Sequence, residues 1–386
     1  MYAVWDVTAN KIVDRVKWHE HRYDVTVFTG VWYFTWDQTI QCVHTILREL
    51  SSNQSLPTFE QAHLVIRAST KRKVFLKMGS TRVLEVDYDV LSLVVKLLNY
   101  SSIVSFNEDV GKIKEWIKKQ PHFPEVMADK KIKNFLILNK GSVEKSKEKI
   151  ENYYTIRSQL PEIFDNIHPK LSYMETLKAS IYLVPLPKLT EELYRVFFYK
   201  VRATHLTENF EPVHVIRLLL NIQEIRMNED VTYGDVFILD GINTPFRCIR
   251  KVTPMLVYKT LIVIYKQVFS NRLKAVYIIN APPYAEKIFS LLKGVLKPKL
   301  IERIHFCENP YILTEKFGKE TLPADYGGRE KSLGELQEML YQKFKEREDY
   351  FTQLDKLRIN DDLIPQRLTN DEIFGVSGNF KKLDID

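Results

Sequence analysis

Between Tyr194 and Cys307 the chain alternates short apolar runs with longer amphipathic ones, and that alternation limits the available folds more than any other feature. YRVFFYKV (Tyr194–Val201), DVFILD (Asp235–Asp240), KAVYIIN (Lys274–Asn280) and RIHFC (Arg303–Cys307) read as strands. Between them lie EPVHVIRLLLNIQEIRM, with Pro212 in its first turn, TPMLVYKTLIVIYKQVF and AEKIFSLLKGVL, each apolar at helical spacing. Strands separated by helices of crossover length predict an α/β fold with a mostly parallel sheet flanked by helices.

The texture upstream is different. From Asn107 to about residue 175 short lysine-rich helices are expected. Ile113, Trp116 and Ile117 share a face of one helix, which Pro121 and Pro124 stop. NFLILNKG ends at Gly141, and Ser142 caps the helix carrying Ile150, Tyr153, Tyr154 and Leu160. Residues 1–105 hold four of the five tryptophans but no sustained period, and are expected to lie outside the functional unit. A chain beginning near Tyr100 is therefore expected to fold alone. The expected divisions are 1–105 as an N-terminal extension, 106–175 helical, 176–330 α/β, and 331–386 a solvated C-terminal helix and tail.

Composition narrows the class. With 386 residues, 45% hydrophobic and 27% charged, the chain is globular rather than fibrous or disordered. A net charge of +7 is compatible with an anionic partner surface but too small to argue nucleic acid. Three cysteines, Cys42, Cys248 and Cys307, form no disulfide framework and fit a reducing compartment. No apolar run reaches the roughly 18 residues that span a bilayer, and Asp6, Lys11 and Asp14 interrupt any signal-like start. The expectation is a cytoplasmic protein.

No catalytic signature is present: no G-x-S-x-G, H-E-x-x-H, Walker loop or G-x-G-x-x-G. His19-Glu20-His21 lacks a third ligand, and Cys307 beside His305 reads as a structural thiol, so neither a metal nor a cofactor is expected. Two features remain. The 253–268 helix carries more apolar residues than one stripe needs, so it is either buried on both sides or forms the wall of an apolar cavity. The Ala285–Arg303 segment puts Ala285, Ile288, Phe289, Leu291, Leu292, Val295 and Leu296 on one side and Glu286, Lys287, Ser290, Lys293 and Lys297 opposite. It is either an ordinary surface helix or one that meets an anionic surface.

The residues then match a pattern. DYGG (Asp325–Gly328), Asp240-Gly241, the VTP of KVTPML and FSNRLKAVYIINAPP resemble the CRAL-TRIO lipid-binding family. EWIKKQPH, NFLILNKGSVEKSKEKIENYYTIRSQLPEIF and IFGVSGNFKKLDID look like its insect branch, whose members are described as α-tocopherol-transfer-protein-like or retinoid-binding. The resemblance covers about residues 106–386. It implies a helical subdomain before a sheet-floored pocket closed by a mobile lid helix, and non-enzymatic carriage of a hydrophobic small molecule or lipid. Carried over, the phosphoinositide-binding residues are Arg272, Lys274, Lys299 and Arg303. The pocket falls on Leu261, Ile264, Tyr265, Val268, Val276 and Ile278, and the lid on Pro283–Leu296 with Ile288, Phe289, Leu292, Val295 and Leu296. The implied partners are a hydrophobic ligand and, peripherally, endosomal or other phosphoinositide-bearing membranes. A rival expectation is a phosphoinositide-sensing adaptor that carries nothing. The chain departs from the pattern at Phe135-Leu136-Ile137-Leu138-Asn139, where the usual arginine is missing, and at Ser270, where a proline is usual. Its 253–268 stretch is one residue longer than the pattern.

Overall fold

The computed structural model describes residues 89–202, 210–294 and 296–364, with residues 82–84 and four two-residue strands near the N-terminus. The chain divides into Met1–Met78 and Gly79–Asp386. Within the first unit Tyr2–Ala3 pairs in parallel with His63–Leu64, and Trp5–Asp6 pairs antiparallel with Lys11–Ile12. His19-Glu20-His21 and Cys42 lie outside the described residues.

The second unit begins with helices. α1 (Val90–Leu97) lies within the segment expected to stand apart, yet Val94 and Val95 are buried in the same core as everything that follows. α2 (Ile103–Lys118) starts at a capping box made by Ser102 and Ser105, and its Ile113 and Ile117 face inward. α3 (Asp129–Leu138) ends before Lys140 and Gly141, both at positive φ. Tyr100 packs where any Cβ on Gly141 would stand, so glycine is required there. Ser142 caps α4 (Val143–Gln159) by accepting from the Lys145 amide. α5 (Ser172–Ser180) then leads into the sheet.

The sheet has five strands in spatial order β1 (Ile181–Leu189), β2 (Tyr194–Val201), β3 (Gly234–Asp240), β4 (Leu273–Ile279) and β5 (Ile304–Cys307). β1 and β2 form an antiparallel hairpin and the rest run parallel. β1 is the strand that sequence reading misses, because Pro185 and Pro187 break its pattern. An edge position tolerates both prolines, and the ladder is irregular between Pro185 and Leu189. There the fully buried Arg195 guanidinium donates to the carbonyls of Leu186 and Pro187. The crossovers are α6 (Pro212–Glu229), α7 (Pro254–Tyr258, continued to Val268) and α8 (Ala285–Lys293).

The closing helices, α9 (Leu333–Glu346) and α10 (Glu348–Lys356), correct a further expectation. They are not merely solvated: Leu336, Leu340, Phe344 and Phe351 are buried, and Gln337 donates to the Ile181 carbonyl at 2.7 Å. Two ionic clusters bind the layers together. Glu224 on α6 receives Lys131 of α3, Arg157 of α4 and Tyr350 of α10. Burial would raise the Glu224 carboxyl, but Lys131 and Arg157 outweigh it and hold the group at about 2. Arg226, also on α6, bridges Asp230 at 2.9 Å and Asp235 at 2.6 Å, and Arg195 closes on Asp230 from β2. No helix among the described residues is long and apolar enough to cross a membrane.

Candidate functional site

Strand alternation sends successive side chains to opposite faces of the sheet. On one face Val196, Val236 and Ala275 form a row of neighbours, all buried. Phe198, Ile238 and Tyr277 continue it, with Phe198 against Tyr326 and Tyr277 against Phe317. The opposite face carries a row of Phe197, Phe237, Val276 and Ile304, then a row of Tyr199, Leu239, Ile278 and Phe306. Central strands covered by helices on both sides normally bury such residues outright. Here Phe237, Val276, Tyr199, Leu239 and Ile278 on β2 to β4 are only half-buried; on the edge strand β5 Ile304 is half-buried and Phe306 37% exposed. Among these, sequence reasoning names Val276 and Ile278. The others are legible only once the register aligns the period-two pattern across strands.

The helix above this face resolves the two readings of its apolar excess. From Lys259 to Val268 the chain winds as a π-helix, with the Phe269 amide donating to the Ile264 carbonyl at 3.1 Å. A π turn takes up an added residue without breaking the helix. Ile264, Tyr265 and Val268 are buried, and Phe269 meets Tyr153 of α4 edge-on at 5.9 Å. The Tyr265 hydroxyl donates to Asp235, so that side chain is fixed by the Arg226 cluster while its ring packs against Phe237 at 5.7 Å. Towards the N-terminus Leu256, Val257 and Leu261 are half-buried and Met255 is exposed. The C-terminal half of the helix is therefore core, and its N-terminal half, which lies against α8, is left half-buried or exposed.

α8 is sharply amphipathic yet buries none of its residues fully. Ile288, Phe289 and Leu292 are half-buried, Phe289 meets Phe306 edge-on at 5.2 Å, and Leu291 is 65% exposed. Tyr284, just ahead of the helix, donates to the Thr244 carbonyl and packs against Phe246 at 5.0 Å. Leu296 is buried, and Val295 lies outside the described residues. The family-like motifs serve this end of the sheet. Asp240 accepts from Ile242 and Asn280 and from the Tyr326 hydroxyl, so DG and DYGG meet in one hydrogen-bonded group. Gly241 packs under the Asn280 carbonyl, where a Cβ would stand 2.6 Å away.

The four candidate basic residues fall into two groups that share Arg303. Arg272 lies 4.1 Å over the Tyr233 ring, and Lys274 lies 4.8 Å from Tyr194 and 5.2 Å from Tyr233. Arg303 donates to the Leu273 carbonyl, and Lys299 is exposed. Burial, then the charges of Arg272, Arg303 and Lys140, push the Lys274 ammonium down. Burial, then Lys297, Lys149, Arg303 and Lys299, do the same to Lys266. Arg303 thus belongs to both groups, and Lys140, Lys149, Lys266 and Lys297 are members that the sequence-derived set lacks. Nη1 of Arg272 is buried with no hydrogen-bond partner among the described residues. Such a concentration of cations suits an anionic group with several acceptor oxygens. The Cys307 thiol is pushed up by burial, and no cluster of metal-ligating side chains occurs among the described residues.

Comparison with known proteins places this arrangement. Residues 104–174 match the family described as Pinta-like, UBA domain, and residues 180–328 match the CRAL/TRIO domain. Over 237 residues the chain is 25% identical to the alpha-tocopherol transfer protein-like proteins of Homo sapiens and Pongo abelii, covering 59% of this chain and 66% of theirs. The Mus musculus counterpart is 26% identical over the same length. The chain thus spans just under two thirds of the length of these relatives. Among solved structures, Sfh5 aligns with a TM-score of 0.38 at 11% identity, covering 68% of this chain and all of that one. With its mostly parallel five-stranded sheet and helical region ahead of it, the chain carries a CRAL/TRIO domain at residues 180–328.

Proposed function

We propose that the protein binds a tocopherol- or retinoid-like hydrophobic molecule between the sheet and α8 and releases it at phosphoinositide-bearing membranes. The half-buried row Tyr199, Leu239 and Ile278, continued by the exposed Phe306 that meets Phe289 of an amphipathic helix with no fully buried residue, carries this reading. The similarity to tocopherol-transfer-like relatives supports lipid binding in general. Covering about 400 Å² of ligand at about 25 cal/mol per Å² is worth roughly 10 kcal/mol before association costs. A ligand held that well leaves slowly, so a release step is needed. Partition of α8 into a membrane would favour the open state and supply one. The cations around Arg272 and Arg303 would hold the headgroup that brings the protein there.

No reaction is assigned to the bound molecule. The insect, retinoid-binding branch and a cytoplasmic, endosome-associated location belong to the same proposal and rest on the residues quoted above. The adaptor reading shares the headgroup site but requires no carried ligand. A transfer assay separates them: a fluorescent tocopherol analogue should move between vesicle populations, faster when the acceptor contains a phosphatidylinositol phosphate. Headgroup-dependent vesicle binding without any transfer would leave the adaptor.

A further inference from the structure

α1 has the sequence VLSLVVKL: Ser92 and Lys96, four apart, make one narrow polar side, and the rest of its surface is apolar, more than one core stripe needs. Only one side is covered. Val90, Val94 and Val95 face the core, whereas Leu93 and Leu97, one turn apart, are 46% and 51% exposed. Ile103 and Val104, at the start of α2, are 39% and 67% exposed. Leu93 and Leu97 form one wall of an open groove of about 560 Å³, shared with Lys96, Glu191, Glu192, Leu193, Tyr194 and Tyr233.

Two routes join this face to the basic cluster. Tyr194 and Tyr233, which line the groove, are the rings on which Lys274 and Arg272 rest. Tyr100, two residues beyond α1's last cap position, donates to the Gly141 carbonyl, next to Lys140, whose charge acts on Lys274. Leu93 and Leu97 with Lys96 beside them, and Lys274 and Arg272 on the rings that line the same groove, form the pairing that an anionic lipid surface complements. Glu191 and Glu192 come from the turn between β1 and β2, just before Leu193 and Tyr194, so the α1 wall rather than the whole groove suits contact with headgroups.

We propose that the outer face of α1, through Leu93 and Leu97, is a second membrane-contact element that partitions into the anionic lipid surface beside the Arg272–Lys274 cations. It rests on the membrane-release reading, and adds a contact outside the part of the chain that resembles the lipid-binding family.

The test uses the full chain and phosphatidylcholine vesicles containing phosphatidylserine and a phosphatidylinositol phosphate. Leu93→Gln with Leu97→Gln should weaken vesicle partition by about tenfold, with soluble inositol phosphate binding and the melting temperature unchanged. Leu97→Trp should keep partition and show a blue-shifted emission when vesicles are added. Unchanged partition of the glutamine variant, while Arg272→Ala with Lys274→Ala loses it, overturns this inference and leaves the membrane reading standing. If neither pair affects partition, the membrane reading falls with it. A dimer in light scattering that the glutamine change dissociates, with vesicle binding intact, assigns the face to a second copy and equally overturns the proposal. An unshifted Leu97→Trp spectrum does the same.

Discussion

At the scale of single residues, charge placement decides most of what the site can do. Lys299 and Arg303 are four apart and Arg272 and Lys274 two apart, spacings already readable from the sequence. Lys140 and Lys266 come from other elements, and no local spacing could have added them to the set. Changing Lys299 and Arg303 together to alanine should weaken binding to phosphoinositide vesicles about tenfold or more, because each cation contributes on the order of 1 kcal/mol. Ligand retention in solution should be unaffected, and a flotation assay beside an off-rate measurement checks both. Asp230 concerns stability instead. Burial would raise its carboxyl, but Arg195 and Arg226 hold it at about 2, below its value in the unfolded chain. Its contribution is therefore complete above the unfolded value and drains away as pH falls towards 2. Asp230→Asn leaves two buried guanidinium groups short of a counter-charge and should cost about 3–5 kcal/mol at neutral pH. The same change should flatten the loss of stability below about pH 4, as read from urea unfolding at a series of pH values.

At the scale of elements, legibility followed local chemistry. β2 to β5 and their crossovers were readable because their periods are clean, and the Ser142 cap was readable from its type and position. β1 was hidden by Pro185 and Pro187, whose cost vanishes at a sheet edge. The π-helical winding of Lys259–Val268 was not legible in the sequence, and that winding moves side chains off the faces that an α-helical period assigns. α8 was found from its amphipathic pattern, but Leu291, which belongs to the apolar arc by that pattern, faces solvent. Phe289, half-buried with its ring edge-on to Phe306, is the side chain on which the lid proposal turns. Phe289→Asp should speed ligand loss by an order of magnitude while shifting the thermal melt little. A folded variant with unchanged off-rate would show that α8 does not act as a lid. A large fall in melting temperature would instead mark it as an ordinary core helix.

At the scale of the whole molecule, one continuous core joins α1 to α4, the sheet and the closing helices, with Glu224 receiving groups from three helices. A chain beginning near Tyr100 would lose the burial of Val94 and Val95, worth on the order of 3–5 kcal/mol. It should melt well below a chain beginning at Gly79, which keeps α1 and should match the full protein in ligand retention. Sequence could not assign α1 because an eight-residue apolar segment has no period long enough to show which side will be covered. The central claim concerns the half-buried face between sheet and α8. Its most direct measurement is native mass spectrometry of the full chain purified from cells, beside Ile278→Trp, which fills that face. The account expects one hydrophobic molecule per chain on the unaltered protein and none on a folded Ile278→Trp. An unaltered protein at bare mass, or a ligand held equally by both, would contradict it.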